Sequence, residues 1–309
     1  RGGRARLRPP RWRRGVKLGV SLPVFTDDPA KPLAVAARAR ELGIDGVFAP
    51  DHLFPPVFYP PSGPDRPSLE VFSVLAAVAA REPGLHVGTL VTRVSLRAPG
   101  ILAKQAAALD AMSNGRAILG IGTGDRASAD EHERFGFPYP AAAERLGGLE
   151  ETARALHALF GGGTWPGGAH VPAMRGPLLP PGEPAIWVGG LSDAVLEVAA
   201  RVADAWNGWG LDLDGFAARS ARLRELAAGR QVPPTWAGIA LVGTDRADLD
   251  RLLGRRAERN LPLDGVWSGT AEEWARFTEG LRGEGATWCV VLPAGPPDRL
   301  DVIAAATTR

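Results

Sequence analysis

His86-Val-Gly-Thr-Leu-Val-Thr92, the Ala- and Leu-rich run 99–112 and Arg116-Ala-Ile-Leu-Gly-Ile-Gly122 read as strand, helix and strand. Apolar, β-branched residues in a short run suit a strand buried on both faces, and such strands are usually parallel. Parallel neighbours need a crossover, and the helix between them packs on the sheet's outer face. The same alternation extends to both sides. Upstream lie strand 17–23 with helix 31–42, and strand 46–50 with helix 69–80. Downstream, helix 144–160 completes the unit opened at 116. It is followed by strand 185–189 with helix 193–201, strand 204–209 with helix 216–228, and strand 235–242 with helix 248–260. A helix at 271–282, strand 287–292 and a terminal helix end the pattern. Eight strands separated by helices predict an α/β fold, a (β/α)8 TIM barrel. A doubly wound open sheet is the second solution, since periodicity does not show closure.

Composition agrees with one folded domain. The 309 residues are 45% hydrophobic and 23% charged, and no run approaches the roughly 18 apolar residues of a membrane span. The lone Cys289 excludes internal disulfides and Cys-based metal clusters, so a cytoplasmic protein is the expectation. Seven Arg residues sit in the first fourteen positions, and without them the net charge goes from +2 to −5. Residues 1–15 are read as a disordered Arg-rich leader and 16–309 as the barrel domain. No nucleic-acid fold follows the leader, so no nucleic-acid partner is assigned.

Barrel active sites gather at the C-terminal ends of strands. Those ends are Asp51 and His52, Thr89 to Thr92, Gly122 to Asp125, Gly189 to Ser192, and Trp206 to Trp209. His86, His132, His157 and His170 are scattered without metal-binding spacing, and no metal site is assigned. No G-x-S-x-G elbow occurs. Leu119-Gly-Ile-Gly-Thr-Gly-Asp125 lacks dinucleotide-fold spacing, and its glycines are expected to let a planar ligand approach the backbone. Gly189-Gly-Leu-Ser-Asp193 ends a strand and starts a helix, with Ser192 as N-cap; it reads either as a phosphate-holding helix terminus or as a plain βα turn. Two long loops, 52–67 and 161–184, are expected to shape a substrate pocket. The first carries Phe54, Phe58 and Tyr59. Trp187, Trp206 and Trp209 read as packing, or as pocket walls.

The ordered set Leu18-Gly-Val-Ser-Leu-Pro23, Gly43-Ile-Asp-Gly-Val-Phe-Ala-Pro-Asp-His52, Val87-Gly-Thr-Leu-Val-Thr92, Leu109-Asp-Ala-Met-Ser-Asn-Gly-Arg116 and Pro184-Ala-Ile-Trp-Val-Gly-Gly190 resembles the luciferase-like monooxygenase superfamily. These are bacterial TIM-barrel oxidoreductases that use a flavin or the deazaflavin F420, and the tone is closest to the F420 branch. The resemblance implies hydride transfer between F420 and a small organic substrate. The alternatives are an FMN-dependent monooxygenase fed by a flavin reductase, and a non-catalytic flavin-binding barrel. It implies a cofactor site at Asp51, Thr89, Leu90, Val91, Gly122, Gly124, Gly189, Gly190 and Ser192. A cis peptide at Leu90-Val91 would support the ring. His52 matches the residue beside the ring that relays a proton. Asp125 stands where some members carry a Glu proton donor, one methylene longer. Glu131 and Glu133 are nearby alternatives, read as surface helix charges. A homodimer is expected by resemblance.

Overall fold

A computed structural model describes residues 15–56, 59 and 62–307. The Arg-rich stretch 1–14 and Phe58 lie outside them. In chain order the elements are β1 (Lys17–Ser21), α1 (Ala30–Glu41), β2 (Gly46–Ala49), α2 (Val71–Arg81), β3 (His86–Arg93), α3 (Pro99–Ser113), β4 (Ala117–Gly122), α4 (Ala129–Arg134) and α5 (Ala142–Phe160). There follow β5 (Ala185–Gly189), α6 (Asp193–Val202), β6 (Ala205–Trp209), α7 (Leu213–Ala227), β7 (Pro234–Gly243), α8 (Arg246–Glu258), β8 (Val266–Thr270), α9 (Ala271–Gly283), β9 (Trp288–Pro293) and α10 (Arg299–Thr307).

All strand pairings are parallel. They run in order from β1 to β7, with β9 pairing both β7 and β1 and so closing an eight-stranded barrel. The open-sheet alternative is thereby excluded. One strand was not expected: β8 pairs Ile239–Gly243 of β7, beyond the stretch Pro234–Ala237 that β6 occupies. β7 is ten residues long and rises past its neighbour, so its upper half carries unpaired amides that β8 satisfies.

Inside the barrel, Phe48 stacks on Trp187 with ring centroids 5.3 Å apart, and Trp288 meets Phe48 edge-on at 5.3 Å. With Leu90, Ile118 and Val290 they fill the interior, so the barrel is plugged below its rim. The larger core lies between sheet and helices, where Leu75, Leu102, Leu149, Leu156 and Trp206 are fully buried. Trp187 is therefore packing, as its residue type favours.

The loop 161–184 does not line the cavity described below. It runs over the outside of α3 and α5. The Glu151 carboxylate accepts the amides of Ala169, His170 and Val171 at 2.8–2.9 Å, Asp110 accepts Glu183 N at 3.1 Å, and Lys104 binds the Leu179 carbonyl. Its Gly and Pro content suits a tight surface strap rather than a pocket wall. Among the described residues no helix is long and apolar enough to cross a membrane.

Candidate functional site

A cavity of about 570 Å³ opens at the C-terminal rim. It is lined by ten of the residues singled out from the sequence: Asp51, His52, Leu90, Val91, Gly122, Gly124, Asp125, Gly189, Gly190 and Ser192. Thr89 does not line it. Its side chain is fully buried and its hydroxyl donates to the Gly120 carbonyl at 2.8 Å, tying β3 to β4 below the floor.

The floor is built by an irregularity in β3. Register with β4 slips between Thr89 and Thr92, and the Leu90-Val91 peptide within that bulge is cis. Leu90 turns into the barrel interior beside Phe48, while Val91 reaches toward β4 and β5. There three glycines surround it. A Cβ placed on Gly120, Gly122 or Gly189 would meet the Val91 methyls at 3.0, 2.8 and 2.9 Å, and on Gly120 it would also overlap the Thr89 carbonyl. In the run 119–124, Gly120 and Gly122 thus make room for the protein's own Val91, Gly124 lies against the Arg93 side chain, and Gly122 and Gly124 also line the cavity.

At the β5 end, Gly190 has φ +143° and α6 begins at Asp193 with Ser192 as N-cap, its hydroxyl accepting Val195 N at 3.3 Å. The Trp206 indole N–H holds the Gly190 carbonyl at 2.7 Å, fixing the turn from behind. Helix N-termini carry unpaired amides and a partial positive charge, so this end suits a phosphate.

The opposite wall holds a charged cluster that sequence reasoning placed wrongly. Glu131 on α4 is 1% exposed, not a surface charge. Its carboxylate accepts His52 Nδ1–H at 2.7 Å, Leu53 N at 2.6 Å and Arg93 Nη2 at 2.7 Å. Burial works to raise the Glu131 pKa, but the bonds from His52 and Arg93 outweigh it and hold the carboxyl below the usual range. Glu131 is then an anion at neutral pH, an anchor for the imidazole rather than a proton donor. Arg93, also missed, is 3% exposed; it donates to the Asp51 carbonyl as well, and its Nε and Nη1 have no hydrogen-bond partner among the described residues. Glu133 is exposed, as expected.

Beside this cluster the Asp51 carboxylate is engaged by the Thr92 hydroxyl and by Arg97, which also binds Glu70 at 3.0 Å. Asp125 is exposed. It accepts Ser128 N at 3.1 Å and Ser128 Oγ at 3.0 Å, capping a short 3-10 turn at the cavity mouth. Tyr59 meets Phe25 edge-on at 4.7 Å, and Phe25 meets His52 at 6.2 Å. Burial pushes the Tyr59 phenol up. Trp209 lines the mouth, whereas Trp206 lies in the outer core. Among the described residues no group of three His, Cys, Asp or Glu is arranged to hold a metal.

The chain is 30% identical over 229 residues to an F420-dependent glucose-6-phosphate dehydrogenase of Nakamurella multipartita. The match covers 73% of this chain and 62% of that relative, so it spans less than two thirds of the relative's length. Among solved structures, an F420-dependent secondary alcohol dehydrogenase in complex with an F420-acetone adduct superposes with TM-score 0.78 at 18% identity. That likeness covers 94% of this chain and 98% of the other. EDTA monooxygenase from Chelativorans sp. BNC1 superposes with TM-score 0.78 at 19% identity, covering 95% and 93%. The family described as luciferase-like monooxygenase matches residues 13–288. With its closed barrel and nearly the whole chain inside that match, this protein belongs to the luciferase-like monooxygenase family.

Proposed function

We propose that the chain is an oxidoreductase that binds the deazaflavin F420 in the rim cavity and moves a hydride between it and a small organic substrate. The observation that carries this reading is the joining, in one cavity, of the α6 N-terminus, the β3 bulge and His52. The sequence relative named for F420 dependence supports the same cofactor. When bound, the deazaflavin supplies the hydride chemistry.

The chain's own residues divide the remaining work. Gly189, Gly190 and Ser192 hold the phosphate end, with Gly122 and Gly124 beside them. Leu90 and Val91 back the ring, and Thr89 supports that floor from below without touching ligand. Asp51 orders the floor through Thr92 and Arg97. His52 carries or accepts the proton at the reacting oxygen; Glu131, accepting Nδ1–H, fixes which ring nitrogen serves. Asp125 at the mouth is the secondary acid. An apolar cavity wall excludes water around the transferred hydride.

FMN would use the same phosphate terminus, and the likeness in fold to a monooxygenase makes an FMN-dependent enzyme with a reductase partner the second reading. A tryptophan-quench titration with F420, run beside FMN, tests both. Micromolar or tighter binding of F420 alone supports the first. Preference for FMN with oxygen consumption supports the second, and binding of neither refutes the cofactor site.

A further inference from the structure

We propose that the substrate is a neutral, apolar-bodied alcohol or the matching carbonyl compound, and not a sugar phosphate; this rests on the cofactor reading above. The barrel order places β4 and β5, which carry the glycine arc, across the mouth from β9 and β1. The far arc contributes Phe25, Tyr59, Ile239 and Leu292, with Trp209 at its edge. Among the described residues that line the cavity, Arg93 alone is Lys or Arg. Its cationic head lies behind the wall, donating to Glu131 and to the Asp51 carbonyl, and its remaining nitrogens are shut off from solvent.

A phosphate dianion seated on the far arc would lose its water with no lysine or arginine among the described residues there to balance its charge. Burying an uncompensated charge in this way is strongly unfavourable. The α6 terminus is the cavity's anion cradle, and the cofactor occupies it under the reading above. A neutral body instead gains from the same wall, because it takes apolar area out of water. At the mouth Leu191 and Trp209 are each 37% exposed, and the one charged side chain there among the described residues, Asp125, is itself an anion that repels a phosphate. His52 is then the partner for the one oxygen such a substrate carries. In the oxidising direction the carbinol C–H and O–H bonds break and a C=O bond forms. The hydride reduces the oxidised deazaflavin by two electrons, and the proton goes to His52.

The test uses the unmodified chain. F420 is titrated first, and the F420-bound protein is then titrated with cyclohexanol, cyclohexanone and glucose 6-phosphate, read by tryptophan fluorescence and by the F420 absorbance band. The expected result is that cyclohexanol or cyclohexanone binds at least tenfold more tightly than glucose 6-phosphate. Equal or tighter binding of glucose 6-phosphate overturns the proposal, as does F420 binding with no affinity for the alcohol or the ketone. If F420 itself does not bind, the cofactor reading fails separately. The same three titrations on the bare chain then decide the substrate class by the same criterion.

Discussion

Replacing Glu131 with Gln probes the buried cluster without touching the cavity's shape. The carboxylate accepts three hydrogen bonds, from His52, Leu53 N and Arg93, at 2.6–2.7 Å and is 1% exposed. The amide keeps one acceptor oxygen but turns an NH2 group toward a donor. It also removes the charge that balances Arg93, whose Nε and Nη1 already lack hydrogen-bond partners among the described residues. Removing one member of a buried pair costs about 3–5 kcal/mol, because the other charge is left uncompensated. At about 2 °C per kcal/mol for a chain of this size, the Tm should fall by roughly 6–10 °C. The double variant Arg93→Met/Glu131→Gln removes the stranded cation as well, so it should be more stable than Glu131→Gln alone by at least about 1 kcal/mol. Differential scanning fluorimetry of wild type, both single variants and the double completes the cycle. A Glu131→Gln variant within about 1 kcal/mol of wild type, or strict additivity in the cycle, would refute the account of the cluster.

Four other outcomes are expected. Gly120→Ala should destabilise the fold by about 3 kcal/mol or more and weaken cofactor binding at least tenfold, since its methyl overlaps the Thr89 carbonyl that shapes the bulge; urea denaturation and the quench titration check both, and an unchanged midpoint would sink the claim. Burial, aided by the neighbouring Lys17, lowers the His86 pKa to about 4. Below pH 6.5 the unfolded chain takes up a proton that the folded chain refuses. Stability should therefore fall by on the order of 2–3 kcal/mol between pH 6.5 and 4, and His86→Gln should flatten that slope in pH-dependent melts. Glu131 adds a separate loss at lower pH: its folded pKa is depressed, so its contribution is present above the ordinary glutamate value and vanishes as pH drops through the folded one. Finally, His52→Ala should cut turnover at least a hundredfold while changing the F420 dissociation constant less than threefold; equal losses in both would retire the relay role.

The barrel was legible because parallel strands covered by helices leave a plain alternation of apolar runs and amphipathic stretches. Strand ends then mapped onto the rim without further information, which is why ten named residues line one cavity. β8 escaped because Val266-Trp-Ser-Gly-Thr270 is short and only half-buried, and its partner is an overhang of β7 that no local pattern reveals. Glu131 escaped for another reason. Its contact with His52 spans 79 positions and its helix is six residues of mostly charged sequence, which looks solvated. Arg93 follows a register slip, so alternation no longer tells which side of the strand it faces. The strap 161–184 looked like a rim loop because the amides that Glu151 binds carry no signature of their own.

Val91 and the three glycines around it have a meaning for how this protein can change. A larger residue at Gly122 or Gly189 is blocked by Val91, and trimming Val91 alone leaves a void that three missing side chains cannot fill. Each position therefore looks immutable when altered singly. Joint replacements such as Val91→Ala with Gly122→Ala exchange volume across the contact and keep the floor intact. Libraries that vary one site at a time would pass over this route, and divergence among descendants of this sequence should show Val91, Gly122 and Gly189 moving together while Gly120, held against the Thr89 carbonyl, stays fixed.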